Sequence, residues 1–277
     1  MSIFFSLLVA RCSSLIIMKN FFLIFQKEFR SYFNSPIAFV VITIFLILSG
    51  YFFHGIFLNF STISFQVATN AILARQNNQL NVTEMVVRPF FDIISMVMLI
   101  MLPMLTMRMF SEEKKSGTIE LLLTYPVKDS EVILGKFAGC MGIFTIMVLL
   151  TVPCFILIGL FGEPELGVVL SGYVGLFCMG AAFISLGIFA SSITENQIIA
   201  AVLSFASLLI FLMMGYSASF ASESLGNVLK YLSFMPHMYN SFAKGVLDTE
   251  DIIYYVLFTL FCIFLNMRSL ESKKWRG

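Results

Sequence analysis

The chain alternates long apolar runs with short polar connections, and six of the runs are long enough, or nearly so, to cross a bilayer as helices. Such a helix needs about 20 apolar residues, because it rises about 1.5 Å per residue through roughly 30 Å of hydrocarbon. The runs extend from about 36 to 58, 90 to 109, 137 to 161, 168 to 192, 197 to 216 and 252 to 267. The second and sixth are the shortest, and their charged ends, Arg88 with Asp92 and Asp251 with Arg268, reach headgroup depth by snorkelling. The pattern predicts an all-α integral membrane protein, with one six-helix domain over residues 36–267 and a short tail at 268–277.

Two further segments precede the first run. Residues 1–17 are apolar with no basic residue before Arg11, a poor secretory signal. Met18-Lys19-Asn20 reads as an alternative start that would leave 1–17 as an upstream extension. Over residues 18–35, Phe22, Phe25, Phe29 and Tyr32 share one helical face while Gln26, Lys27 and Arg30 share another. This spacing predicts an interfacial helix lying along the membrane surface, with a polar-faced extension of the first span as the alternative. Pro36 marks the turn between them, since the residue before proline disfavours helix.

Composition narrows the class. Apolar residues make up 59% and charged residues 12%, about half the charge fraction of soluble domains, so a soluble globule is excluded. A net charge of +1 gives no nucleic-acid-binding field. Placement of charge is more informative: thirteen Lys and Arg fall on the side shared by the termini, against four (Arg75, Arg88, Lys230 and Lys244) on the other. Both termini are therefore expected in the cytoplasm, with the chain in a plasma membrane, for a bacterium the inner one. Cys12, Cys140, Cys154, Cys178 and Cys262 show no CxxC spacing and read as packing residues.

Little chemistry is expected within the spans. His54 is the one ionisable group noted there, read as interfacial, so the buried charge of an ion-coupled carrier is missing. Two histidines without HExxH, and no mid-span aspartate, argue against an intramembrane enzyme. Met98, Met101, Met104 and Met107 fall near one face; packing is the expected role and copper(I) binding the alternative. Residues 59–88 and 217–251 form the outer segments. The second holds Tyr231, Phe234, Pro236, His237 and Tyr239, which suit aromatic anchoring at headgroup depth or a gate.

The densest polar segment joins the second and third spans, from Arg108 through Glu112, Glu113, Lys114 and Lys115 to Gly117, Thr118 and Glu120. Gly117 allows a turn, Thr118 suits a helix N-cap, and Glu120 sits favourably in the first turn. Ile119 and Leu121 to Leu123 put apolar groups all round a short helix that Pro126 stops, after which Asp129 or Ser130 suits the next cap. An all-round apolar helix on a surface wants a protein groove. By pattern alone the segment also reads as a solvated hairpin.

At these residues the chain resembles the ABC-2 type transporter permeases. The resemblance is carried by Arg108, Glu113, Gly117, Thr118, Glu120, Leu122, Pro126, Val127, Gly135 and Lys136, by Ser192 to Gln197, and by Gly245 to Asp248 with Asp251, Tyr254 and Arg268 to Glu271. It extends over most of the chain from Met18, and is similar in particular to the gliding-motility permeases and those of nitrous-oxide reductase maturation. What it implies is a six-helix subunit with an N-terminal interfacial elbow helix and a cytoplasmic coupling helix. Its implied partners are a cytoplasmic ABC ATPase subunit, a second permease copy or homologue, and an extracytoplasmic auxiliary protein. It implies that Arg108, Glu112, Glu113, Gly117, Thr118, Glu120, Leu122, Pro126 and Val127 couple to the ATPase, and that Thr194, Glu195, Asn196 and Gln197 form a second cytoplasmic contact. The single Gly-Lys pair, Gly135-Lys136, is followed by Phe137 where a phosphate-binding loop needs Ser or Thr. No catalytic, metal or cofactor residue is therefore expected in this chain; ATP and magnesium belong to the ATPase. The output would be export or mechanical work, with a non-transporting scaffold as the other reading.

Overall fold

The computed structural model describes residues 19–70, 81–120, 127–162, 164–220 and 222–274, and within them contains only helices and turns. Helix α1 covers 19–34. Ser35, with extended backbone, caps α2 (Pro36–Thr69) by accepting from the Ile37 amide, so the turn at Pro36 is present. A π-helical turn, Thr83–Val87, leads into α3 (Arg88–Thr106). Helix α4 is Arg108–Lys115, α5 is Asp129–Leu149 and α6 is Val152–Phe161. Then come α7 (Leu166–Ile193), α8 (Gln197–Ser217), the short α9 (Glu223–Leu232) and α10 (Phe234–Asn240), and α11 (Thr249–Lys274).

Six helical stretches are long and apolar enough to span a membrane, which with the helical content defines an all-α integral membrane protein. Helix α7 is the central one: 72% of its most apolar stretch is buried in protein, against 22% for α2 and α8. Small residues make that possible. A Cβ at Gly180 would sit 2.3 Å from the Phe144 ring, so the glycine is the socket for a phenylalanine of α5. The outer helices instead expose large apolar side chains, among them Ile47, Phe65, Ile198, Val202 and Leu257, as a lipid-facing surface does.

Several elements differ from the apolar runs. Helix α2 continues past Leu58 to Thr69, and within this extension the Thr62 and Thr69 hydroxyls are satisfied by carbonyls three and four residues back. The third apolar run is broken at Leu150 and Thr151, where Pro153 lacks the amide that would continue the ladder. Ionisable side chains lie inside the helices: Asp92 within the second apolar run itself, and Glu131, Lys136 and Asp251 where α5 and α11 begin ahead of their runs. The expectation that His54 is the main such group is corrected accordingly, and His54 itself is exposed.

The methionines do not converge either. Met98 and Met101 are buried whereas Met104 is exposed. The aromatics of 217–251 divide: Phe234, Phe242 and the His237 ring are buried, whereas Tyr231 and Tyr239 are exposed, as surface anchors are. His237 of α10 bonds through Nδ1 to Asp251 of α11 and through Nε2 to the Tyr231 carbonyl of α9, at 2.9 Å, while Tyr254 stacks on its ring. Tyr254 and Tyr255 donate to the carbonyls of Leu232 and Phe234. This cluster locks the two short helices onto the bundle.

Candidate coupling site

At the end of the bundle that carries α1, α4 and the last turns of α11, three helices meet on one lysine. Lys136 lies on the second turn of α5 and is 1% exposed. Its Nζ donates to Glu28 Oε1 of α1 at 3.0 Å, to Glu113 Oε1 of α4 at 2.8 Å, and to the Met109 carbonyl at 3.0 Å. It also stands 5.1 Å from the centre of the Phe110 ring. A buried ammonium is tolerable only with such partners, since desolvation costs several kcal/mol per ion. Two carboxylates around one ammonium leave a local excess of negative charge. Lys27, 3.8 Å from both Glu28 and Glu113, balances it at the rim.

The sequence of α5 sets this geometry. Gly135 and Gly139 face α1 one turn apart: a Cβ at Gly135 would lie 2.7 Å from Ile24 Cγ2, and one at Gly139 would lie 2.9 Å from Glu28 Cβ. Helix α1 therefore rests almost on the α5 backbone, which brings Glu28 within reach of Lys136. Asn20 adds a second tie by donating to Glu131 at 3.2 Å. Tyr32, fully buried, donates to the Leu105 carbonyl of α3 at 2.9 Å. Burial pushes its phenol well above the usual range, so it stays a protonated donor. The Arg108 guanidinium lies 5.3 Å over that ring and donates to Ser35 Oγ at 2.9 Å.

Helix α4 is held from its other side by α7. Ser191 Oγ accepts from the amides of Phe110 (3.0 Å) and Ser111 (3.1 Å) and donates to the Met107 carbonyl (2.8 Å). It thus caps the start of α4 from another helix, satisfying donors that a helix start leaves open. Lys114 bonds to the Ser192 carbonyl at the end of α7. Between α1, α4 and α5 lies a polar cleft of about 680 Å³, floored by Glu28, Glu113 and Lys136.

The sequence-derived coupling residues divide into three groups. Arg108 and Glu113 point into this junction, and Glu113 faces inward to Lys136 rather than outward. Glu112, Gly117, Thr118 and Glu120 are exposed beside it. Gly117 takes a positive φ of 71°, and Thr118 donates to the Glu113 carbonyl at 3.3 Å, so its hydroxyl closes the turn instead of capping the next helix. Residues 118–120 are helical and Ile119 is buried. Leu122 and Pro126 lie outside the described residues, and Val127 packs against the core. The cap of α5 falls on Lys128 and not on Asp129 or Ser130, leaving Asp129 and Glu131 in the first turn where the dipole favours acids.

The second segment is a helix start. Asn196 Oδ1 accepts from the Ile198 amide at 2.9 Å, and Thr194 Oγ1 accepts from the Asn196 amide at 3.1 Å. Glu195 is exposed and Gln197 half-buried. Asn196 thus caps α8 and Thr194 holds the cap residue's own amide, a local arrangement that needs no partner. The residue that sequence reasoning missed is Glu28. Its signal was the Gly135 and Gly139 spacing, which marks a face of α5 for close approach by another helix.

Six membrane-length helices define the class as a multi-pass membrane protein, with a buried three-helix ionic junction at one end. The family model described as ABC-2 family transporter protein matches residues 22–269, and the chain belongs to that family. Members are typically non-catalytic membrane subunits that work with a cytoplasmic ABC ATPase. Among curated proteins, none matches the chain.

Proposed function

We propose that this chain is the permease subunit of an ABC-2 transporter that a separate ATPase drives through the α1–α4–α5 junction. The single observation that carries the reading is Lys136, which joins Glu28 and Glu113 from two other helices in a buried site. A push on α4, or on the segment that follows it, is passed to α1 and α5 together, because separating any pair leaves a buried charge uncompensated. In this reading the Lys/Arg-rich end faces the cytoplasm of a bacterial inner membrane and both termini lie there.

The ATPase docks over the exposed Glu112, Glu120 and the segment up to Val127, with Thr194 to Gln197 as a second, smaller contact. The partner holds ATP and magnesium. A second permease copy or homologue completes the membrane unit, and an extracytoplasmic auxiliary protein receives export or mechanical work, as in the gliding-motility and nitrous-oxide reductase maturation systems it resembles. Affinity purification from native membranes in mild detergent, with identification of co-purifying chains, tests this. A stoichiometric ATPase bearing a phosphate-binding loop is expected; a chain that purifies alone with no nucleotide hydrolysis would overturn it in favour of a scaffold.

A further inference from the structure

At the end of the bundle opposite the coupling junction, a groove of about 500 Å³ opens between α3, α8 and α10. Its rim residues Met96, Tyr216 and Tyr239 are each more than half exposed, and Leu212 lies buried beneath them. One carboxylate lines it, that of Asp92, whose Oδ1 is buried and has no hydrogen-bond partner. A buried acceptor left unpaired is costly, and native proteins seldom leave one without a reason.

The expected partner is otherwise committed. Arg88 precedes Asp92 by one helical turn, the spacing at which opposite charges normally pair. Its Nη1 instead donates to Glu84 at 2.9 Å and its Nε to the Ala243 carbonyl at 3.0 Å. His237, on the helix that forms one wall, is committed to Asp251. Among the described residues no Lys, Arg or His lies within 4.0 Å of Asp92. A carboxylate in the first turns of a membrane-length helix, lining an apolar groove without an internal counter-charge, is a candidate for an external one.

We infer that this groove binds a lipophilic organic cation, with Asp92 as counter-charge and the Tyr216 and Tyr239 rings beside the apolar body of the ligand. Carboxylate and aromatic rings together recognise onium groups, and the apolar lining suits a hydrocarbon substituent. The inference rests on the membrane-spanning fold and not on ATPase coupling, so the two fail separately.

The test uses the full chain in lipid nanodiscs with radiolabelled tetraphenylphosphonium, and, in separate samples, radiolabelled tetraphenylborate as an anion of the same shape. Saturable phosphonium binding is expected, weakened at least about tenfold in Asp92→Asn and more modestly in Tyr239→Leu, with no Asp92-dependent binding of tetraphenylborate. Asp92→Asn keeps the side-chain shape, and unchanged thermal melting of both variants establishes that they fold. Equal phosphonium binding by Asp92→Asn and the parent chain, borate binding that Asp92→Asn weakens equally, or no saturable phosphonium binding at all would each overturn the assignment.

Discussion

The Nζ of Lys136 lies 2.8 Å from Oε1 of Glu113, although one residue belongs to a membrane-length helix and the other to a short helix at its end. Glu28 completes the pair from a third helix. The junction is thus a single charge shared among elements with no covalent reason to move together.

Removing the lysine should therefore be worse than removing the whole junction. Lys136→Met leaves two carboxylates facing each other with the buried ammonium gone, and should cost about 3–5 kcal/mol. The triple change Glu28→Gln, Glu113→Gln and Lys136→Met should recover most of that loss. Thermal melting in detergent reads both; a triple variant no more stable than Lys136→Met would show that packing, not charge, dominates.

The close approach of α1 depends on Gly139. Gly139→Ala puts a methyl 2.9 Å from Glu28 Cβ, which sits near its backbone and cannot swing aside. Overpacking of this kind costs roughly 1–3 kcal/mol. Melting of Gly139→Ala should fall below that of Gly167→Ala, a helical glycine with nothing within 4 Å. Equal melting of the two would mean that α1 is not held against α5.

Ser191→Ala should loosen α4 without disturbing the membrane helices. The variant leaves the Phe110 and Ser111 amides without their acceptor, a loss of roughly 0.5–2 kcal/mol for a capping contact. Hydrogen exchange should accelerate at those two amides and remain unchanged in α8.

At the other end, Asp251→Asn should loosen the two short helices. His237 keeps its bond to the Tyr231 carbonyl but loses its carboxylate partner, which leaves the Tyr254 and Tyr255 hydroxyls as the remaining hydrogen bonds from α11 to the two short helices. Faster exchange is expected over residues 223–240, with α1 to α5 unaffected.

Much of the architecture was legible because a bilayer imposes one rule on length and polarity. Pro36 and the spacing of Phe22, Phe25 and Phe29 marked a separate helix ahead of the first span. Its orientation was not legible: those phenylalanines stack along an outer or half-buried face, whereas Glu28 and Tyr32 form the buried one. A carboxylate on an apolar helix reads as solvated until the glycines that receive it are placed opposite. Glu113 was singled out for its position in a motif, yet its inward direction depends on Lys136, a residue read as the entry to a span. Arg88 read as a snorkelling charge at the end of a short span, whereas the fold commits its guanidinium to Glu84 and to the Ala243 carbonyl, a partner 155 residues away that spacing does not reveal.

The most direct test of the central claim compares hydrogen exchange in the purified permease–ATPase complex with ATP and with ADP bound. The parent chain should show nucleotide-dependent exchange in α4 and in the π-turn at Thr83–Val87, at the far end of α3. The triple junction variant should keep its ATPase partner and lose the response at the far end. An unchanged nucleotide response in that variant would contradict coupling through Lys136.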